Sequence, residues 1–275
     1  MDITNSMASE RNKIFLNILF RVIFTSLGAV AEIFSIAVIL KISLPVQFVF
    51  FVIFLISIIY LWDFYREYSK KIYKIERKII FGLLLFLTVS ILYITLLLRN
   101  SVPIYLPLVL LGLSLLYDSH FKKITAQIVG FKDFFVIICF NLIVLIFLLI
   151  NNISPGSIFV LLLFVLSRDF VNITYCDIKD IESDSLKGYK TLAIYFGIDK
   201  LIKLHSVVSI LSIMIIVIAV ILGFLPVISY FLIFPVVITM ILIFVSHSNR
   251  KYTPTNVDFE YFGWLIFVIL GKIVL

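Results

Sequence analysis

Apolar runs of about 17–25 residues recur along almost the whole of this 275-residue chain. Each is broken from the next by Pro, Gly, Asn or a cluster of charge. A run of that length is what a helix needs to cross a hydrocarbon core about 30 Å thick at a rise of about 1.5 Å per residue. Nine such runs can be read, at about 14–40, 44–62, 79–98, 102–117, 134–150, 157–176, 201–223, 227–246 and 258–275. Residues are 63% hydrophobic and only 14% charged, which excludes an ordinary soluble domain of this size. The expected fold is an all-α membrane protein, a bundle of about nine transmembrane helices forming a single polytopic membrane domain over 1–275. About a dozen polar residues precede the first run, and no small-residue cleavage site follows it. It is therefore expected to be a retained helix and not a signal peptide. Cys139 and Cys176 lie in or beside apolar runs and suggest no disulfide framework.

The basic residues orient this bundle. All but Arg21, Lys41, Arg99 and Lys272 of the 23 Lys and Arg fall in the N-terminal stretch or in the segments 63–78, 118–133, 168–203 and 247–257. The positive-inside rule places these on the cytoplasmic side, with the N-terminus in and, after nine spans, the C-terminus out. The net charge of +7 is thereby accounted for largely by topology. No basic–aromatic pattern points to nucleic acid as a partner.

One charged stretch stands apart. Residues 168–192 read RDFVNITYCDIKDIESDSLKGYKTL and directly follow an apolar run. Asp177, Asp180 and Asp184 are spaced by three and four, so a helix would carry all three on one face. An Asp costs about 2.5–3.5 kcal/mol at the centre of a membrane helix. Three together belong at the membrane edge or in a wet cavity. Hard oxygen ligands in such a place suit Mg²⁺, which usually takes one or two carboxylates, several waters and substrate phosphate oxygens. The plainer alternative is a solvated, charged cap on a helix.

Arg168-xxx-Asn172, Asp177-xx-Asp180-xxx-Asp184 and Gly188-xx-Thr191-Leu192 together resemble the second aspartate-rich motif of the UbiA-type intramembrane prenyltransferases. The resemblance implies that Asp177, Asp180 and Asp184 hold Mg²⁺ against the diphosphate of an isoprenyl donor. It also implies a bundle around a central cavity that opens to the cytoplasmic side, and Asn172 as part of the site wall. The first motif of that family, Asp-xx-Asp-xxx-Asp, falls on Asp63-Phe-Tyr-Arg66-Glu67-Tyr-Ser-Lys70. Only Asp63 matches; Arg66 and Lys70 stand where acids belong. Glu67 supplies a carboxylate four residues after Asp63, on the same helical face. Asp63 and Glu67 are thus further candidate metal ligands. Arg66 could meet phosphate oxygens with a guanidinium fork and Lys70 with a point charge. A positive-inside anchor is the alternative for this segment.

The segment Tyr117-Asp-Ser119-His-Phe-Lys122-Lys123, followed by Phe131-Lys132-Asp133, is similar to the family loop whose basic residues contact diphosphate. It makes Tyr117, Lys122 and Lys132 candidates for substrate binding, with Lys190 from the acidic stretch. Topology alone would also explain these cations. Elsewhere, Arg21, Glu32, Asn141 and Asn172 are polar residues inside apolar runs. Such groups usually face the bundle interior, and Asn141 suits an interhelical hydrogen bond. No zinc spacing, P-loop or serine-nucleophile turn is present.

The resulting expectation is an integral membrane enzyme that moves an isoprenyl group from a prenyl diphosphate to an aromatic or other lipophilic acceptor, with Mg²⁺ as cofactor. Its partners are that donor, the acceptor and membrane lipids. The rivals are a terpene cyclase on the same scaffold and a non-catalytic binder of polyprenyl lipids.

Overall fold

The structure, a computed structural model, describes residues 3–68, 74–97, 105–117 and 121–275. Among these there is no β-strand. The helices are α1 (Ile3–Leu40), α2 (Val46–Tyr68), α3 (Lys74–Leu97), α4 (Tyr105–Leu116), α5 (Lys122–Thr125), α6 (Phe131–Ile150), α7 (Pro155–Leu186), α8 (Leu192–Phe196), α9 (Ile198–Ile221), α10 (Ile233–Ser248) and α11 (Thr255–Val274). A 3-10 turn, Val227–Leu232, leads into α10.

Among the described residues six helical segments are long and apolar enough to cross a membrane: Val22–Leu40, Lys78–Leu97, Phe131–Ile150, Pro155–Leu186, Ile198–Ile221 and Val227–Ser248. Val46–Trp62 is a shorter apolar helix. Their outer surfaces carry wide exposed apolar faces, such as Leu85, Phe86 and Tyr93 on α3 and Ile210, Leu211, Met214 and Ile218 on α9. Water would not tolerate surfaces of that kind on a monomer, whereas lipid tails do. The chain is an integral, multi-pass membrane protein.

The contacts divide the chain into two compact units. The first comprises Met1–Val30 and Pro45–Asn100, the second Ala31–Leu44 and Ser101–Leu275. In the first unit α2 packs on α3. Phe48, Phe51, Val52 and Leu55 of α2 and Ile80, Leu84 and Ile91 of α3 are buried. Their spacing by three, four and seven is that of one helical stripe.

The second unit is built on α7, which packs against α6, α8, α9 and α11. The Ser154 side chain accepts the Ser157 N–H at 3.3 Å and Pro155 opens the first turn, a strong start for a helix. From there α7 runs unbroken for 32 residues. That is about 48 Å, well beyond the length needed to cross hydrocarbon. The apolar run ends at Leu166, yet the helix carries on through the three aspartates to Leu186. Val171, Tyr175 and Ile178 continue the buried stripe on this extension, packed with Ala193, Leu201, Ile202, Ile243 and Val257. Apolar burial on one side thus holds the acidic residues of the other side in helical register.

Candidate functional site

Asp177 and Asp184 are two turns apart on α7 and both are buried, each 5% exposed. They meet at one cation. Lys132 Nζ, from the first turn of α6, lies 2.8 Å from Asp177 Oδ1 and 2.8 Å from Asp184 Oδ2. Asp180, between them in sequence, is half-buried, and its backbone carbonyl accepts the Ser183 hydroxyl. Among the described residues no three His, Cys, Asp or Glu side chains gather as a metal ion would need. An ammonium occupies the place between two acids where the sequence pattern leads one to expect a metal.

A fourth carboxylate stands behind this pair. Asp133 is fully buried, and its Oδ2 accepts the backbone N–H of Leu192 at 2.8 Å. Its carboxyl lies within hydrogen-bonding reach of Asp177. Asp133 Oδ1 and Asp177 Oδ2 are both buried with no partner. Two ionised carboxylates do not hold such an arrangement without a cation or a proton between them. These oxygens are of the hard kind that a divalent ion takes, on side chains fixed by a helix and by a backbone bond.

The segment after α7 is clasped to the segment before α6. Gly188, at φ +72°, turns the chain out of the helix, and Tyr189 N–H caps the Asp184 carbonyl at 2.9 Å. Lys190 N–H then donates to the Thr125 carbonyl at 3.0 Å, and Gly130 N–H donates to the Lys190 carbonyl at 2.7 Å. Thr191 is buried and its hydroxyl accepts from the Ile194 N–H at 3.4 Å, opening α8. Gly130 sits at φ +71°, and a Cβ there would lie 2.7 Å from Leu192 Cδ2. Only glycine fits both the turn and the close approach. The Gly-xx-Thr-Leu tail of the acidic motif is thus the strap that brings Lys132 and Asp133 to the acids of α7.

The remaining expected residues divide by position. Lys190 is exposed, its Nζ 3.4 Å from the Gln127 carbonyl, at the rim of the clasp. The Tyr117 ring stacks on Phe135 of α6 with centroids 4.8 Å apart. Asn172 donates to Asp258 Oδ1 of α11 at 3.1 Å, so its amide ties two helices. The backbone of Asp63, Arg66 and Glu67 belongs to α2, and Lys122 opens α5. Their side chains, and Lys70 as a whole, lie outside the described residues.

Nearer the start of α7 is a second polar band. Arg168 is 1% exposed and grips Glu260 of α11 through Nε–Oε1 and Nη2–Oε2 contacts of 2.6 Å each. Its Nη1 donates to Ser209 at 2.8 Å. Asp169 accepts from Tyr261 at 2.7 Å and from Asn141 at 2.9 Å. Asn141 makes the kind of interhelical bond expected of it. Asp133, Asp169, Asp258 and Glu260 are absent from the sequence-based set of site residues. The one signal for them was an acid in or beside an apolar run.

The UbiA prenyltransferase family matches this sequence over residues 74–267. Among solved structures, the apo form of a UbiA homolog from Aeropyrum pernix K1 superposes with a TM-score of 0.62 at 13% identity, covering 94% of this chain and 97% of that one. A second, described as a digeranylgeranylglyceryl phosphate synthase in membranes, has a TM-score of 0.60 at 16% identity, covering 97% of this chain and 100% of that one. No curated protein sequence matches. At these identities the superpositions speak for the fold, which is UbiA-like, while the sequence match covers most of the chain. It belongs to the UbiA prenyltransferase family.

Proposed function

We propose that this protein is a Mg²⁺-dependent intramembrane prenyltransferase that moves an isoprenyl group from a prenyl diphosphate to a lipophilic acceptor. The observation that carries this reading is the acidic face of α7. Asp177 and Asp184 are buried and opposed by Lys132, and one oxygen of Asp177 and one of the neighbouring Asp133 accept no donor. Burial of such groups is costly unless function requires it.

In this reading Asp177, Asp180 and Asp184 hold the metal. Bound there, Mg²⁺ would supply positive charge to the leaving diphosphate. Lys190 and Lys122 bring further positive charge to phosphate oxygens, and the Lys190 strap sets where that charge lies. The allylic C–O bond breaks with its electron pair leaving on the diphosphate. The allylic cation is captured by an acceptor carbon or oxygen, which then loses its proton. Apolar helix faces exclude the water that would otherwise capture the cation. The chain forms one membrane domain of nine spans, with the N-terminus and the acidic end of α7 on the cytoplasmic side.

The test is mass spectrometry of lipids formed by the purified protein from a panel of prenyl diphosphates. The acceptor panel includes aromatic compounds and a glyceryl phosphate lipid, the latter because one solved relative is named for such a product. A prenylated acceptor is the expected result. A cyclised product from donor alone would assign the chain to terpene cyclisation. No diphosphate release from any donor would leave only a lipid-binding role. Topology has its own test: a reporter fused after Leu275 is expected to read outside the cytoplasm, as the distribution of Lys and Arg requires. A cytoplasmic signal would change the number of spans by one.

A further inference from the structure

We propose that Lys132 is a built-in competitor for the metal: in the donor-free protein its ammonium holds Asp177 and Asp184, and a divalent ion bridges those two acids only by displacing it. This rests on the metal-dependent reading above and concerns how that site is loaded.

The geometry is specific. One ammonium makes two contacts of 2.8 Å, each to a different carboxylate, and those carboxylates are seven residues apart on α7. Neither acid has a second cation among the contacts of the described residues. Asp133, next to Lys132 on α6, places a further carboxyl group within hydrogen-bonding reach of Asp177. A divalent ion entering between Asp177 and Asp184 would have to take the oxygens that Lys132 now holds. Lys132 is 24% exposed at its side chain, so the side chain is not sealed in as the two acids are. A lysine is suited to this, since its flexible stem carries a point charge that can swing between partners.

Displacement has a direction. Once the metal satisfies the two acids, the freed ammonium is an unneutralised cation beside the place where a diphosphate would bind. Donor and metal would then favour one another, because a diphosphate stabilises the displaced lysine and the displaced lysine frees the metal ligands. Coupling of this kind is reciprocal. Before the donor arrives, Lys132 keeps two buried carboxylates neutralised and the helix end intact. Binding of metal without donor is correspondingly weak.

The experiment reads metal affinity, not turnover. Mn²⁺ binding to the donor-free full-length protein in detergent or nanodiscs is followed by electron paramagnetic resonance. Lys132→Gln is expected to bind Mn²⁺ at least tenfold more tightly than wild type, because the competitor is gone. Lys132→Arg keeps a cation able to reach both acids and should stay close to wild type. Lys123→Gln removes an exposed charge on α5 that no carboxylate of the site contacts, and it too should stay close. Unchanged or weaker Mn²⁺ binding by Lys132→Gln overturns the proposal, as does equal tightening by Lys123→Gln. A second measurement needs no variant. In wild type, labelling of Lys132 by an amine-reactive reagent, read by peptide mass spectrometry, should rise severalfold when Mg²⁺ is added. Labelling that is unchanged or falls overturns displacement. Tight Mn²⁺ binding without release of Lys132 would sink this proposal and leave the metal-dependent reading standing. Loss of that reading would be seen separately, in the absence of diphosphate release from donor.

Discussion

Asp177→Asn is expected to lower turnover of a prenyl diphosphate by about 10²–10³-fold, the scale of losing one preorganised electrostatic group at the reacting centre. The substitution preserves size and removes one charge. Asp177 is where three features meet: the ion pair with Lys132 at 2.8 Å, the neighbouring Asp133 carboxyl, and a buried oxygen with no partner. An amide there would leave Lys132 with one acid and a metal with one anionic ligand fewer. Asp63→Asn should cost less, about tenfold, the low end of what an outer residue around a metal costs. The sequence around Asp63 has Arg66 and Lys70 where the family has acids, so that segment already supplies positive charge of its own. Donor KM and kcat measured across a Mg²⁺ titration separate the two variants. Asp177→Asn should also shift the Mg²⁺ dependence to higher concentration. Equal and negligible effects of both substitutions would defeat the catalytic reading and favour a polyprenyl-lipid binder.

What could be read from the residues alone follows from how local each signal is. The helices fall where apolar runs of span length are broken by Pro, Gly and Asn, and both signals lie within one element. Six of the segments have the length and apolarity to cross a membrane. The acids of α7 were legible as one helical face because spacing by three and four is a property of that helix alone. Their counter-charge was not. Lys132 stands in a stretch whose cations topology also explains, and it reaches Asp184 across 52 residues of sequence. Asp133 was hidden for the same reason. Its partner is a backbone N–H at Leu192, 59 residues away, and a backbone group leaves no trace in composition. Asn172 was assigned to the site wall by the resemblance; the bond it makes in the structure is to Asp258 of α11. Glu260 lies in an apolar run, where its charge says only that it faces inward. Its partner, Arg168, is 92 residues away. Pairing across distant helices is decided by which faces meet, and that follows from the packing of the whole unit.

That distant pairing sets the other large effect. Arg168→Met should destabilise the protein by about 3–5 kcal/mol, the cost of leaving one member of a buried ion pair without its partner. Glu260 is 7% exposed and has Arg168 on both carboxyl oxygens; without it, only the Trp264 N–H at 3.2 Å would remain among its recorded side-chain donors. Asp169 and Glu32, both buried, lie close enough to Glu260 to interact electrostatically with each other and with it. Removing the arginine therefore leaves three acids facing one another, where before there was a compensating charge. Methionine replaces the bulk of the side chain, so the loss is of charge and hydrogen bonds more than of packing. The expected readout is a fall in the thermal midpoint on the order of 10 °C in detergent. Arg168→Met combined with Glu260→Met should lose less than Arg168→Met alone, because the unpaired charge is then gone as well. If the double variant is as unstable as the sum of the two single variants, the pair contributes nothing as a pair. Lys132 should respond differently. Its side chain is part-exposed, against 1% for that of Arg168, so water and ions reach it at lower cost. The same helix thus carries a buried ion pair that locks α7 to α11 and, further along, an exchangeable one at the acidic end where metal and donor would have to enter.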